Sequence, residues 1–436
     1  MSLRLAFPQW SCCVVLALAL AGCNSAKTPE ETTGAATKAS AETTQADTLV
    51  QEAVVLIQQR QFSPAIEKLS TAIKTDPNFA EAYFQRAGIL ADAGQDRLAL
   101  TDYGKAIELN AKDVRYHNMR GLFLLTRRQY ETAVLDFNAA VQIDPKYIQA
   151  YNNRGLVHLA KSDFKAAVAD FNQAVEIDPT YVDGFNNRGF AFYQGGVDDK
   201  ALLDFNKTLE LSPKYVNAFN NRAMLFMRVK KYREAVKDFT SAIELDEHNV
   251  KHYQNRRAAY LELGLRPQAD ADADHVAWLM KLNDLNMAVS KEPNAPKSYI
   301  QRAGHMAKGG HSEVALANFE QAIKIAPKSV EGYNGRAAYW LEQGDAAKAI
   351  ADCNLAMQLQ GRDGWNRQSI SIRGDAFLKL GRLDEAIADF EAAERLDSAV
   401  AEAYYGRAKQ RQKKGDSAGA QADLELAREL DPSIGQ

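Results

Sequence analysis

From Ala46 onward the chain repeats itself every 34 residues. A period of this length constrains the fold more than any other feature, because one short unit cannot bury its own apolar face and must stack on its neighbours. With positions numbered 1 to 34, units begin at residues 46, 80, 114, 148, 182, 216, 250, 296, 330, 367 and 401. Position 20 is alanine in every unit, from Ala65 and Ala99 to Ala420. Position 8 is Gly or Ala in ten units, Arg257 being the exception, and position 27 is Ala in nine. Position 4 is aromatic in eight (Tyr83, Tyr151 and Phe185 among them) and position 24 in seven, including Tyr103, Phe137 and Phe171.

Positions 4, 8 and 11 are spaced by four and three and share one face of a first helix; positions 20, 24 and 27 do the same on a second. Small residues at 8 and 20 let the two helices approach, with large ones at 4, 11 and 24 around the contact. Pro at position 32, as in Pro77, Pro145, Pro179 and Pro213, ends the second helix. The pattern resembles the tetratricopeptide repeat (TPR) over nearly all of 46–434. The resemblance implies an all-α fold, a right-handed TPR superhelix (α-solenoid) of about eleven helix-turn-helix repeats whose first helices line the concave face.

Two irregularities divide the array. Twelve extra residues, 284–295, follow a degenerate seventh unit with Arg257, Asp270 and Ala273 at positions 8, 21 and 24. The second helix of that unit is expected to run on toward Pro293, with a kink, giving repeats 1–7 over 46–283 and repeats 8–11 over 296–434. Gly364, Trp365 and Asn366 form a smaller insertion. The last unit reads as a cap, because Gln421, Arg428 and Arg411 stand where earlier units carry apolar residues.

Position 7 is Arg in ten units, and position 23 is Asp in nine of those ten. In the first unit both signs reverse together, giving Glu52 and Lys68; the eighth unit keeps Arg302 but has Asn318. Joint reversal is the behaviour of two side chains that touch, so positions 7 and 23 are expected to meet across the helix pair. The other reading, two solvated charges copied by duplication, is equally structural.

The first 45 residues carry no repeat. A cationic start with Arg4 leads into an apolar run, Cys12 to Gly22, which is shorter than the roughly 20 residues needed to span a bilayer. Leu20-Ala21-Gly22-Cys23 resembles the lipobox of bacterial lipoproteins. It implies a signal peptide over 1–22 and a lipidated Cys23, and Asn24 favours the outer membrane, facing the periplasm, if the host has two membranes. Residues 24–45 are mostly Ala, Thr, Ser, Glu and Lys without apolar periodicity, so 23–45 is expected to be a lipidated Cys and a disordered tether. Of four cysteines only Cys353 lies beyond this segment, so no intramolecular disulfide is expected.

The surface left for binding is the stripe beside the core face of the first helices. Position 5 is Asn118, Asn152, Asn186 and Asn220, and position 6 is Asn153, Asn187, Asn221 and Asn255. Positions 9 and 12 add Leu156, Phe190, Tyr193 and Met224 among others. A carboxamide both donates and accepts, so a row of them can read the amides of an extended peptide while the apolar strip holds its side chains. The same residues can instead space neighbouring helices and fill the core; both readings stand at this point. A similar Asn ladder occurs in the repeat arm of protein O-linked N-acetylglucosamine transferases, whose catalytic domain has no counterpart here. Repeat domains with a carboxylate clamp need Lys or Arg at positions 5 and 9. Asn and apolar residues occupy these positions in units three to six, so capture of an acidic C-terminus is not expected.

Catalysis is not expected either. His305, His311 and Glu313 straddle a turn at a spacing that fits no standard zinc pattern, and His158 falls at a core position. There is no Gly-rich phosphate loop, Cys-x-x-Cys or nucleophile elbow. No cofactor or metal is expected, and a net charge of −3 gives no general attraction to nucleic acid. The chain thus reads as a membrane-anchored scaffold for protein or peptide partners, its oligomeric state open. The alternative is an accessory subunit of an envelope enzyme or of a secretion or pilus-assembly machine.

Overall fold

The computed structural model describes residues 36–360 and 367–435. The signal peptide, Cys23, the start of the tether and the Gly364–Asn366 insertion therefore lie outside the described residues. Among the described residues there are 22 helices and no strand. The chain forms two compact units, divided between Leu265 and Arg266.

In the first unit, first helices such as Ala80–Asp92, Val114–Thr126, Ile148–Ala160 and Val182–Gln194 alternate with second helices such as Asp96–Leu109, Tyr130–Ile143, Phe164–Ile177 and Asp198–Leu211. These occupy positions 1–13 and 17–30 of the repeat. The alanines at position 20 are fully buried, and Phe137, Phe171, Phe205 and Phe239 at position 24 are 0 % exposed. The ring of Phe171 packs so closely on Gly155 at position 8 that a Cβ there would lie 2.6 Å from it. This close approach is what the small residue at position 8 allows.

The turn between the two helices has one conformation throughout. Position 15 has positive φ in Arg60, Arg128, Ser162 and Lys230 (59–61°) as in Gly94, Gly196, Gly264 and Gly310 (71–80°). The next amide reaches back five residues: Gln129 N–H donates to Leu124 O at 2.9 Å and Asp163 N–H to His158 O at 2.8 Å. This is the left-handed helix stop that satisfies the last carbonyls of the first helix.

Across the helix pairs of repeats two to six the charged ladder is in contact. Arg120 donates from Nε and Nη2 to Asp136 (2.8 and 2.6 Å), Arg188 to Asp204 (2.8 and 2.7 Å) and Arg222 to Asp238 (2.7 and 2.8 Å). The reversed pair of the first repeat also meets, with Lys68 Nζ 2.6 Å from Glu52. Several guanidiniums have a further task. Their Nη1 reaches back to position 25 of the preceding repeat: Arg188 to Asn172 at 2.9 Å, Arg222 to Asn206 at 2.7 Å and Arg86 to Ser70 at 3.1 Å, whereas Arg120 meets Gly104 at that position. The planar, multi-donor arginine fork can hold two partners at once, which lysine cannot do in this geometry.

The N-terminal expectation needs one correction. The first helix runs Ala36–Gln58, so residues 36–45 are helical where a disordered tether was expected. This stretch (ATKASAETTQ) has no Gly or Pro and contains three alanines. Lack of an apolar face denies such a segment a core, yet a helix already nucleated by packed residues extends through it at little cost. Thr43 Oγ1 also donates to Asp76 at 2.9 Å.

The second unit opens on a 26-residue helix, Arg266–Lys291, followed by Pro296–Lys308, Ser312–Ile325, Val330–Glu342, Ala346–Gln360, Arg367–Lys379, Leu383–Ala392, Ser398–Lys413 and Ser417–Leu430. Leu279, Leu282, Leu285 and Val289 form the buried stripe of the long helix. Arg302 donates from Nη1 to Asn286 at 3.1 Å, sixteen residues earlier, the same separation that joins Arg188 to Asn172. The later half of the long helix thus serves as the second helix that precedes residue 296, and the extra residues restart the register. In the last repeat Gln421 and Arg428 are exposed, while Arg411 turns its Nη1 to Asp423 at 3.0 Å.

Candidate functional site

The carboxamides of the first unit stand on consecutive first helices, and they are joined to one another. Asn153 donates from Nδ2 to Oδ1 of Asn118 (3.0 Å), Asn187 to Asn152 (2.9 Å), Asn221 to Asn186 (3.0 Å) and Asn255 to Asn220 (3.1 Å). Position 6 of one repeat therefore binds position 5 of the repeat before it. Asn118, Asn152 and Asn186 are buried, and Asn220 is half-buried. Their oxygens are engaged in helix spacing, which is satisfied polar burial of the kind that fixes a unique register.

Position 6 keeps more to offer. Asn153, Asn187, Asn221 and Asn255 are half-buried, and each uses one of two amide hydrogens in its rung. Asn187 Oδ1 accepts from Asn186 at 3.3 Å. Beside this row lies the apolar strip. Leu156, Phe190, Tyr193 and Met224 are half-buried and pack on the cores of their repeats. Phe190 and Tyr193 lie 6.2 Å apart between ring centroids, and Arg228 covers the Tyr193 ring at 3.8 Å.

Other polar contacts between repeats were not foreseen. The Glu81 carboxylate accepts from Gln85 Nε2 (2.7 Å), Arg115 Nη2 (2.9 Å) and Tyr116 Oη (3.0 Å). Burial and the neighbouring Glu81 push the Tyr116 hydroxyl well above its ordinary pKa, so it remains a donor. Tyr215 donates to Asp183 in a related contact, and its hydroxyl is raised by the same two causes. The only sequence signal for these was an acidic residue at position 2, which is not unusual in a first helical turn.

Among the described residues no group of three or more His, Cys, Asp or Glu could hold a metal ion. No helix among them is long and apolar enough to cross a membrane.

Models described as tetratricopeptide repeat match residues 50–106, 148–181, 216–249 and 307–361, and one described as TPR repeat matches 127–162 and 374–415. Tetratricopeptide repeat protein 36 of Homo sapiens is 42% identical over 96 residues, 22% of this chain and 51% of its own length. The Bos taurus protein of the same name is 41% identical over the same shares. The chain thus spans about half the length of these curated relatives. Solved structures with similar folds include Pseudomonas aeruginosa PilF (19% identity, TM-score 0.45, covering 50% of this chain and 99% of that one). A further likeness is YrrB, described as a TPR protein with an unusual peptide-binding site (21% identity, TM-score 0.36, 43% and 97% covered).

Proposed function

Since this chain is built of tetratricopeptide repeats, we propose that it is a non-catalytic scaffold that holds an extended segment of a partner protein along the first helices of residues 114–262. The observation that carries this reading is the row of position-6 carboxamides. Asn153, Asn187 and Asn221 sit one repeat apart, half-buried, each with hydrogen-bonding capacity beyond its rung. Leu156, Phe190, Tyr193 and Met224 supply an apolar strip beside them. An extended peptide offers amides and side chains in alternation, which suits such a pair of parallel rows.

The same reading tethers the scaffold to a membrane through acyl chains on Cys23. Its support is the run of small residues that ends in that cysteine. Two or three chains are enough for stable anchoring.

Capture of partners from envelope extract by the protein tests the groove. Replacing Asn153, Asn187 and Asn221 by Ala removes three rungs as well as the row, so a second variant, Tyr193→Ser with Met224→Ser, leaves the rungs in place. Both variants should lose capture while remaining helical. Undiminished capture by both removes the proposal, and recovery of one stoichiometric complex would instead favour a machine subunit. Cys23→Ser should release the protein from membranes and abolish incorporation of labelled fatty acid.

A further inference from the structure

A cleft of about 330 Å³ opens in the second unit beside helices 266–291 and 296–308, lined by Lys281, Leu285, Ile300, Gly304, His305 and Lys308. One wall, the stretch 296–311, carries one sign of charge, while the facing helix holds Asp284 beside Leu285. Residues 296–311 contain Lys297, Arg302 and Lys308 and no acidic residue. Lys281 and Lys308 are exposed, and neither has an ion-pair partner among the described residues. Elsewhere Lys105, Lys207 and Lys348 each meet an acid three residues away. Arg302 adds to the imbalance: its Nε donates to neutral Asn318 at 2.8 Å, where the equivalent arginines face a carboxylate.

Between the two ammonium groups the floor is apolar and firmly held. Leu285 is buried and Ile300 half-buried. His305 is fixed by two contacts, its Nε2 lying 2.9 Å from Trp278 O and its ring stacked on the Trp278 indole at 5.1 Å. Gly304 leaves the space open, since a Cβ built there meets nothing within 4 Å.

We propose that this cleft binds an acidic stretch of a partner polypeptide, carboxylates going to Lys281 and Lys308 and an apolar side chain resting on Leu285 and Ile300. Charge complementarity selects the occupant. Two separate cations around a small apolar floor match an acid–apolar–acid sequence. A nucleic acid offers a continuous row of phosphates and would meet a chain of net charge −3 beyond the cleft. The site lies in the other unit from the asparagine rungs and does not depend on them.

Fluorescence anisotropy of a labelled ten-residue peptide centred on Asp-Leu-Asp, added to the full-length protein at low salt, tests this. The acidic peptide should bind, and binding should fall at least about tenfold for an Asn-Leu-Asn peptide and for the Lys281→Glu, Lys308→Glu protein. Gly304→Leu fills the cleft while favouring the helix, so it should abolish binding with the melting temperature kept or raised. The Asn153, Asn187, Asn221→Ala protein should bind the acidic peptide as the parent does. The proposal is overturned by an absence of binding, by binding indifferent to the lysine reversals, or by loss confined to the asparagine variant. Tighter binding to a thymidine oligonucleotide or to phosphatidylglycerol vesicles than to the peptide would overturn it as well.

Discussion

Arg154 grips Asp170 of its own repeat through Nε and Nη2, at 2.9 and 2.6 Å. Its remaining nitrogen, Nη1, donates to Asn138 of the preceding repeat at 2.7 Å. The aspartate side chain is 8% exposed. Removing one partner of such a pair leaves an uncompensated charge, so Asp170→Ala should cost about 3–5 kcal/mol. Asp170→Asn should cost clearly less, because Arg302 already donates to Asn318 in the same place. The exchange Arg154→Asp with Asp170→Arg should recover much of either single loss. Urea midpoints check all three, and equal losses for the Ala and Asn variants would refute the assignment.

A second expectation concerns the left-handed turn. Ser162 has φ 61° and Gly196 φ 77° at the same repeat position. The left-handed conformation costs a side-chain-bearing residue about 1–2 kcal/mol, partly offset by the greater unfolded freedom of glycine. Ser162→Gly should therefore stabilise by about 0.5–1 kcal/mol. Gly196→Ala should destabilise by a similar amount although a Cβ there touches nothing within 4 Å, so the loss is backbone strain alone. Thermal melts of the two variants should move in opposite directions.

The third follows from a buried imidazole. His252 is 5% exposed and neither ring nitrogen has a hydrogen-bond partner. Burial lowers its pKa from 6.5 despite the opposing pull of Asp246, with Lys251 adding a smaller push in the same direction. Protons then bind the unfolded chain more tightly than the folded one. The contribution of His252 is complete above about pH 6.5 and is lost as pH falls below that value, levelling off once the folded-state pKa is passed. His252→Phe should shrink the drop in melting temperature between pH 7.5 and 5.5; an unchanged drop would refute this.

The fourth uses the cysteine at the centre of the second unit. Cys353 is 0% exposed, and burial, assisted by Asp352, pushes its thiol up to about 12. The thiolate is the reactive form, so the folded protein should be inert to Ellman's reagent at neutral pH. In the fragment 36–436, where it is the sole cysteine, labelling should appear only with unfolding of this unit. Rapid labelling without denaturant would contradict the burial.

Much of this architecture was legible because duplication prints each constraint many times. The invariant alanines from Ala65 to Ala420 and the joint sign change at Glu52 and Lys68 marked the helix contact and the ion pair before any geometry was known. The left-handed turn escaped notice because Arg60, Arg128, Ser162 and Lys230 hide what the glycines announce. The backward reach of the arginines was hidden too, since Ser70, Asn138 and Thr240 share only a small polar acceptor. For the asparagines the sequence located the row but not its pairing. Which carboxamide faces which depends on the offset between adjacent first helices, and that offset has no local signature. The cleft at Lys281 was missed because its two lysines come from different helices, brought together by the lengthened one.

The hand that many of these guanidiniums extend to the preceding repeat makes length in this protein a quantised property. A cut that discards terminal units leaves the remaining arginines with the acceptors of their own repeats, aspartates or, for Arg302, Asn318. An internal deletion or insertion keeps the array in phase when the arginine still meets a suitable acceptor, sixteen residues back as for Arg188 and Asn172 or nineteen as for Arg373 and Asn354. The lengthened helix obeys that rule, keeping Asn286 within reach of Arg302. Lineages of this chain should thus grow or shrink by whole modules, with odd-sized changes tolerated only where a neighbouring helix can absorb the remainder.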